Sequence, residues 1–115
     1  MQWTVERKDQ IAICRVSGDL DAGSANELVA DLDREIDGGS NRLVLDLGRV
    51  AYIDSSGLGA LVKVLKKTRL VGGDVRLAEL EPEVRKVLEL TRLDKIFEIS
   101  RTTEDAVRLS LAGTR

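Results

Sequence analysis

The sequence contains no histidine and only one cysteine, and each scarcity excludes a kind of chemistry. Histidine is the most frequent general base in enzymes and the most frequent ligand of transition metals. Its absence excludes a Ser–His–Asp hydrolase and argues against a zinc enzyme. The single Cys14 has no partner for an internal disulfide and no histidine to stabilise a thiolate. Because it lies in the β-rich run 11–16, we interpret it as a small buried hydrophobic residue.

The sequence also lacks a strong excess of one charge and a long apolar segment. Its 18 basic and 20 acidic residues give a net charge of −2, so it has no basic field of the kind that nucleic-acid binding requires. No apolar run approaches the roughly 18 residues of a membrane span, and the N-terminus lacks the apolar core of a signal peptide. We therefore expect no direct contact with nucleic acid or membranes, and a cytoplasmic location.

The residues that are present fit a single folded unit. With 115 residues, 43% of them apolar and 33% charged, the chain matches one compact domain over residues 1–115. The glycine pairs Gly38-Gly39 and Gly72-Gly73 end predicted helices rather than domains, since glycine readily adopts the left-handed conformation that follows a helix.

The order of strand and helix patterns predicts an α/β fold. Two β-rich runs, 3–7 and 10–17, form an N-terminal hairpin, and helices and strands alternate after it. The run 42–47 is apolar on both faces, which indicates a central strand. Alternation favours parallel strands with helices covering the sheet, so we predict a mixed, mostly parallel sheet with about four helices. The other strands are predicted at 74–78 and 93–99, and the helices begin near Ala25, at Ser55–Ser56, near Pro82 and after a cap at Thr102 or Thr103.

The second predicted helix has an apolar face and a basic face. The apolar face consists of Leu58, Leu61, Val62 and Leu65. The basic residues Lys63, Lys66, Lys67 and Arg69 fall on or near the other face. We interpret the basic face as a solvated surface, with a kinase-docking surface as the alternative. Leu58 points either inward to the core or outward to a partner.

The candidate functional site is the stretch 50–60, which leads into the second predicted helix. Asp54, Ser55 and Ser56 all cap helices well, because their side-chain oxygens accept hydrogen bonds from first-turn amides. Residue types alone therefore favour capping by the serines. Gly57 and Gly59 each cost a helix about 0.5–1 kcal/mol relative to alanine, which indicates a need for close backbone approach or for an incoming partner. A hydroxyl at the positive end of a helix is also a phosphorylation candidate, since negative charge is favoured there.

A second candidate is the loop that contains Asp19 and Asp21, before the first predicted helix. Two carboxylates in one loop offer ligands for a divalent cation with a phosphate or nucleotide. The favoured interpretation is negative charge placed near a helix N-terminus. If this loop and the Asp54 stretch lie at the same ends of neighbouring strands, they form one acidic, serine-bearing edge.

In the order and spacing of these motifs, the sequence resembles the bacterial anti-sigma factor antagonists, which consist of a single STAS domain. The resemblance covers nearly the whole chain. Its strongest part is Leu43-Val44-Leu45-Asp46-Leu47 and, after six further residues, Asp54-Ser55-Ser56-Gly57-Leu58-Gly59. Supporting segments are 18–21, 72–77, 82–91 and 93–97.

The resemblance implies partner switching, with no cofactor, metal or catalytic residue. Unphosphorylated members of the family bind an anti-sigma factor that is also a serine protein kinase, and the sigma factor is freed. The kinase phosphorylates the serine directly after the motif aspartate, here Ser55, the antagonist then lets go, and a serine phosphatase resets it. Asp21 matches a loop aspartate beside that site. The expected partner contacts are Asp21, Asp54, Ser56, Gly57, Leu58 and Gly59.

Three alternatives stay open at this point. A STAS component of a larger stress-signalling or lipid-transport assembly would share the fold. A small hydrolase or nucleotide-binding enzyme would use Asp19 and Asp21 with a metal, but a Walker-type glycine loop and a second carboxylate cluster are missing. A structural scaffold without a switch would take up no phosphate from any cognate kinase.

Overall fold

The computed structural model describes the backbone of residues 1–112 and the side chains of residues 1–111. Within that range the chain forms five strands and four α-helices. Their bounds are β1 Gln2–Lys8, β2 Ile11–Ser17, α1 Ala25–Asp37, β3 Arg42–Arg49, α2 Ser55–Leu70, β4 Asp74–Ala78, α3 Pro82–Leu90, β5 Glu98–Ser100 and α4 Thr103–Ala112. None of these helices is both long and apolar enough to cross a membrane.

The five strands form one mixed sheet in the order β1-β2-β3-β4-β5. β1 and β2 pair antiparallel across a turn at Asp9, whose φ of 58° is left-handed, a conformation that aspartate tolerates. The other neighbouring strands pair parallel, because a helix connects each of them to the next. The predicted hairpin, the mostly parallel sheet and the four helices are confirmed.

The two faces of the sheet are covered unequally. Helices α1, α2 and α3 cover one face, where their leucines and valines pack against Cys14, Leu43 and Leu45. Of the described helices, only α4 covers the other face, where Ala106 packs in a small cluster with Val44 and its neighbours. β3 therefore contributes buried side chains to both faces, as predicted for a central strand.

Cys14 is fully buried on the face covered by three helices. Burial raises the pKa of its thiol to about 12, and the negative charge of Glu35 adds to the shift. A thiol with such a pKa stays neutral at physiological pH and is a poor nucleophile. The structure therefore supports a packing role for this residue.

The predicted last strand was wrong at its beginning. β5 starts at Glu98 rather than at Leu93, because residues 93–95 form a short 3₁₀ turn. The carbonyl oxygen of Leu93 accepts hydrogen bonds from the amides of Ile96 at 3.1 Å and Phe97 at 3.2 Å. Amides used in a turn are not available to a sheet.

The predicted apolar face of the second helix was shifted. Leu61 and Leu65 are buried as expected, but Val64 is 1% exposed whereas Val62 is only half-buried. The reason is that α2 packs against α1 as well as against the sheet, so the buried stripe is centred between two surfaces. Leu58 is half-buried and packs against the core, which selects the inward orientation.

Candidate functional site

The start of α2 is capped by Asp54. This residue has an extended backbone, with φ −109° and ψ −172°, and its Oδ1 accepts a hydrogen bond from the amide of Gly57 at 3.0 Å. Its carbonyl oxygen accepts from the amide of Leu58 at 2.9 Å. The predicted helix start at Ser55 is therefore confirmed, and the cap lies one residue before the serines.

Ser55 and Ser56 occupy the first two helical positions, and both are exposed. Neither hydroxyl makes a hydrogen bond to another described residue, and neither do the backbone amides of the two serines. Capping by the serines, which residue types favour, is therefore wrong, because Asp54 has taken that role. The two hydroxyls are not needed to hold the helix start together.

The electrostatics of this helix start differ from those of the other helices. The first turn of α2 contains no acidic residue, whereas acidic residues occur in the first turns of α1, α3 and α4. Negative charge near a helix N-terminus is favoured by roughly 0.3–1 kcal/mol. An anionic group on Ser55 would therefore meet unpaired amides and the positive end of the helix dipole.

The acidic loop before α1 docks onto this helix start. Leu20 and Ile53 form an isolated parallel bridge. The amide of Leu20 donates to the carbonyl oxygen of Tyr52 at 3.0 Å, and the amide of Asp54 donates to the carbonyl oxygen of Leu20 at 3.3 Å. The structure thus brings the two candidate loops to one edge of the sheet, the arrangement that the sequence left as a condition.

Gly57 is the point of closest contact between the two loops. A Cβ at this position would lie 2.3 Å from the carbonyl oxygen of Leu20 and 2.8 Å from Cγ1 of Ile53. Glycine is therefore required here by the packing of the chain itself. Gly57 is buried, so it positions the exposed residues of the site without being part of the surface.

The acidic loop is organised by its own hydrogen bonds. Oδ1 of Asp21 accepts from the amide of Gly23 at 3.0 Å, and Oγ of Ser24 lies 3.0 Å from the carbonyl oxygen of Asp19. The side chain of Asp21 is only partly buried. The carboxylate of Asp21 and the backbone carbonyl of Asp19 therefore shape a turn beside α2, and among residues 1–111 there is no group of three or more metal-ligating side chains.

Residues that the sequence did not single out also lie at this site. Tyr52 is 54% exposed, immediately before the bridge residue Ile53. It is the only tyrosine in the chain, and an aromatic residue two positions before the Asp54 motif was the available signal. Ala22 and Val29 line a groove beside Ser56. Only the packing of α1 against α2 brings them there, so no local sequence signal existed.

Comparisons with a family model and with individual proteins agree on one family. The sequence matches the family model of the STAS domain over residues 2–106. BtrV of Bordetella bronchiseptica, named as a candidate anti-sigma factor antagonist, is 38% identical over 106 residues, which cover 92% of this chain and 91% of that protein. The anti-sigma-B factor antagonist of Bacillus subtilis is 31% identical over 93 residues, which cover 81% of this chain and 84% of that protein.

The fold is shared with solved structures. The crystal structure of a candidate anti-sigma factor antagonist from Thermotoga maritima has a TM-score of 0.89 and 29% sequence identity to this chain. The match covers 94% of this chain and 93% of that structure.

Proposed function

The chain belongs to the STAS domain family, and we propose that it is an anti-sigma factor antagonist that is switched by phosphorylation of Ser55. In the unphosphorylated form it binds an anti-sigma factor that is also a serine protein kinase, and the sigma factor is released. Phosphorylation of Ser55 ends this binding, and a serine phosphatase restores it. The chain acts in the cytoplasm as a single domain over residues 1–115 and catalyses no reaction itself.

One observation carries this proposal. The hydroxyl of Ser55 is exposed at the first position of α2 and has no hydrogen-bonding role in the described structure. A side chain in that position is accessible to a kinase, and its modification does not disturb the core. The relatives named as anti-sigma factor antagonists supply the class of partner.

The switch follows from local electrostatics. A phosphoryl group adds about −1.5 to −2 charges and three acceptor oxygens, which the unpaired amides at the start of α2 would stabilise within the chain. A partner surface packed over Ser55 would meet extra bulk and charge, with Asp54 and Asp21 adding repulsion of acidic partner groups. Burying such a charge in an interface without a group of opposite charge beside it weakens the binding free energy by several kcal/mol.

The six contact residues fall into two roles within this proposal. Ser56 and Gly59 are exposed and touch the partner directly, together with the partly exposed edges of Asp21, Asp54 and Leu58. Gly57 is buried and acts by holding the loop of Leu20 against the helix start. The direct contacts surround Ser55, so a group added there lies inside the interface.

A pull-down tests the proposal. The purified chain and its Ser55→Ala, Ser55→Asp and Ser56→Ala variants are immobilised and exposed to native lysate of the source organism. Bound proteins are identified by mass spectrometry, and phosphate is mapped on each variant after incubation with the captured partner and ATP. We expect an anti-sigma factor on the wild type and on Ser55→Ala, and phosphate on the wild type and Ser56→Ala only; Ser56→Ala, which alters a partner contact but keeps Ser55, is the control for the phosphorylated position.

The Ser55→Asp variant separates the mechanism from the function. We expect it to retain little anti-sigma factor, because it carries charge at the switch position. Retention equal to that of Ser55→Ala would contradict the electrostatic mechanism. Absence of any anti-sigma factor from the wild type and all variants would contradict the proposed function.

A further inference from the structure

The structure has a shallow groove between α1 and α2, directly beside the proposed switch. We call it the α1–α2 groove. Its volume is about 310 Å³, and its walls include Ala22, Ala25 and Val29 on one side and Ser56, Gly59 and Lys63 on the other. Ser56 follows Ser55 in the chain, so the groove opens next to the hydroxyl that would carry the phosphate.

The two glycines at the start of α2, Gly57 and Gly59, differ in whether the fold has room for a larger side chain. A Cβ at Gly57 would lie 2.3 Å from the carbonyl oxygen of Leu20, whereas a Cβ at Gly59 would meet nothing within 4 Å. Glycine inside a helix destabilises it relative to alanine. The chain's own packing therefore explains Gly57 and does not explain Gly59. What the missing side chain does provide is depth in the wall of the groove.

The lysines of α2 also differ. Lys67 forms ion pairs across the helix interface, at 3.0 Å from Asp37 and 3.9 Å from Asp33. Among the described residues Lys63 has no such partner, and it is the only charged side chain that lines the groove. One end of the groove thus carries a cation that the fold does not use.

The apolar residues of the groove wall favour an apolar occupant, and the positive charge of Lys63 favours an acidic group beside it. Resting on the function proposed above, we propose that an apolar side chain of the anti-sigma factor occupies the α1–α2 groove at Gly59, and that a neighbouring carboxylate of the same factor pairs with Lys63. Lys63 lies eight residues after Ser55, about 12 Å along the helix axis. With Asp19, Asp21 and Asp54 at the other end, the surface has an acidic end and a basic end, which sets the direction in which the partner lies.

Binding measurements on variants test the groove separately from the switch. The probe is the purified anti-sigma factor identified by the pull-down, titrated calorimetrically into the wild type, Gly59→Ala, Lys63→Glu and Lys66→Glu. Lys66 is exposed on the same helix but does not line the groove, so it is the matched charge control. The melting temperature of each free variant is measured in parallel.

Gly59→Ala gives the most diagnostic result, because it should improve the fold and weaken the complex. We expect its melting temperature to rise by about 4 °C, from the gain in helix propensity, and its Kd to increase about fivefold or more, from the lost depth of the groove. Lys63→Glu should increase Kd at least about tenfold, and Lys66→Glu less than about threefold, since exposed charges off the contact act weakly.

Three results overturn the inference. Wild-type Kd values for both Gly59→Ala and Lys63→Glu, with the wild type bound, would leave the proposed function intact and remove the groove from the interface. Equal increases in Kd for Lys63→Glu and Lys66→Glu would indicate general electrostatic attraction rather than a contact in the groove. Failure of the wild type to bind any anti-sigma factor would overturn the proposed function as well.

Discussion

The helices α2 and α4 both begin at the carboxyl edge of the sheet, but their N-termini are completed differently. At α4, Oγ1 of Thr102 accepts from the amide of Asp105 at 3.0 Å, and Oε2 of Glu79 accepts from the amide of Thr103 at 2.7 Å. The first turn of α4 also contains Glu104. At α2 the cap is Asp54 alone, and the first turn carries no acid. We call the start of α4 closed, because the fold pairs its first backbone amide with a carboxylate, and the start of α2 open, because the amides of Ser55 and Ser56 have no described partner.

This difference separates a structural helix start from a candidate switch. The first amide of α4, that of Thr103, is paired with the carboxylate of Glu79, which directly follows β4, so added charge there would compete with Glu79. The amides of Ser55 and Ser56 make no hydrogen bond to another described residue, because the carboxylate of Asp54 accepts from the amide of Gly57 instead. The hydroxyl of Thr102 therefore stabilises the start of α4 by accepting a hydrogen bond. The hydroxyl of Ser55 has no such role at α2 and is available for modification.

Gly57→Ala should have the largest effect on the open helix start. The new Cβ would lie 2.3 Å from a backbone oxygen of Leu20, which cannot move without shifting the docked loop. We expect the free energy of unfolding to fall by about 2–4 kcal/mol, measured by urea denaturation at constant m-value. Gly59→Ala is the matched control and should show no loss. Equal stability of the two variants would mean that loop docking does not hold α2 in place.

Glu79→Ala should open the closed helix start. The change removes the acceptor of the Thr103 amide and should lower the free energy of unfolding by about 1–2 kcal/mol. Glu79→Gln keeps an acceptor and should cost less. Both variants share the left-handed backbone of Glu79, whose φ is 62°, so backbone strain cancels in the comparison. If denaturation curves of both variants overlay that of the wild type, Glu79 does not close α4.

Asp54→Ala should remove the only cap of α2. Loss of a side-chain cap typically costs about 1 kcal/mol, and the amide of Gly57 should exchange its hydrogen faster because its 3.0 Å bond to Asp54 is gone. Asp54→Asn retains an acceptor oxygen and serves as the control. Unchanged exchange at Gly57 in Asp54→Ala would show that the helix start does not depend on this cap.

Ser55→Asp should have the smallest effect on stability, and with the opposite sign. Negative charge at the open N-terminus should raise the free energy of unfolding by about 0.3–1 kcal/mol at low ionic strength, and salt should reduce the gain. Ser55→Asn is the neutral control of similar size. Identical denaturation midpoints for the two variants at low salt would mean that the helix start has no unmet preference for an anion.

Local features were predictable from the sequence. Asp54 and the serines marked the start of α2, and Thr102 was one of two predicted caps for α4, because capping involves groups within three residues. The run 42–47, which is apolar on both faces, marked β3 as a central strand for a similar reason. The prediction did not distinguish Val62 from Val64, because the buried stripe of α2 depends on where α1 lies.

Site features beyond the motif were less predictable. The sequence placed Ser55 at a helix start but assigned capping to the serines, since residue type does not reveal which of three adjacent candidates takes the bond. Leu93 was assigned to a strand on its apolar pattern, and a turn used the amides that the strand needed. Tyr52 and the α1 wall of the groove had no periodic signal that tied them to the motif.

The sequence by itself determined the element order, the sheet type and the position of the helix start, because periodicity and capping act over a few residues. Tertiary structure decided which glycine the fold requires and which helix start stays open. Leu20 reaches Gly57, and Glu79 reaches Thr103 across 24 residues of chain, only because the parallel strands bring their carboxyl ends to one edge. Contacts of that kind depend on strand pairing, which no short stretch of sequence contains.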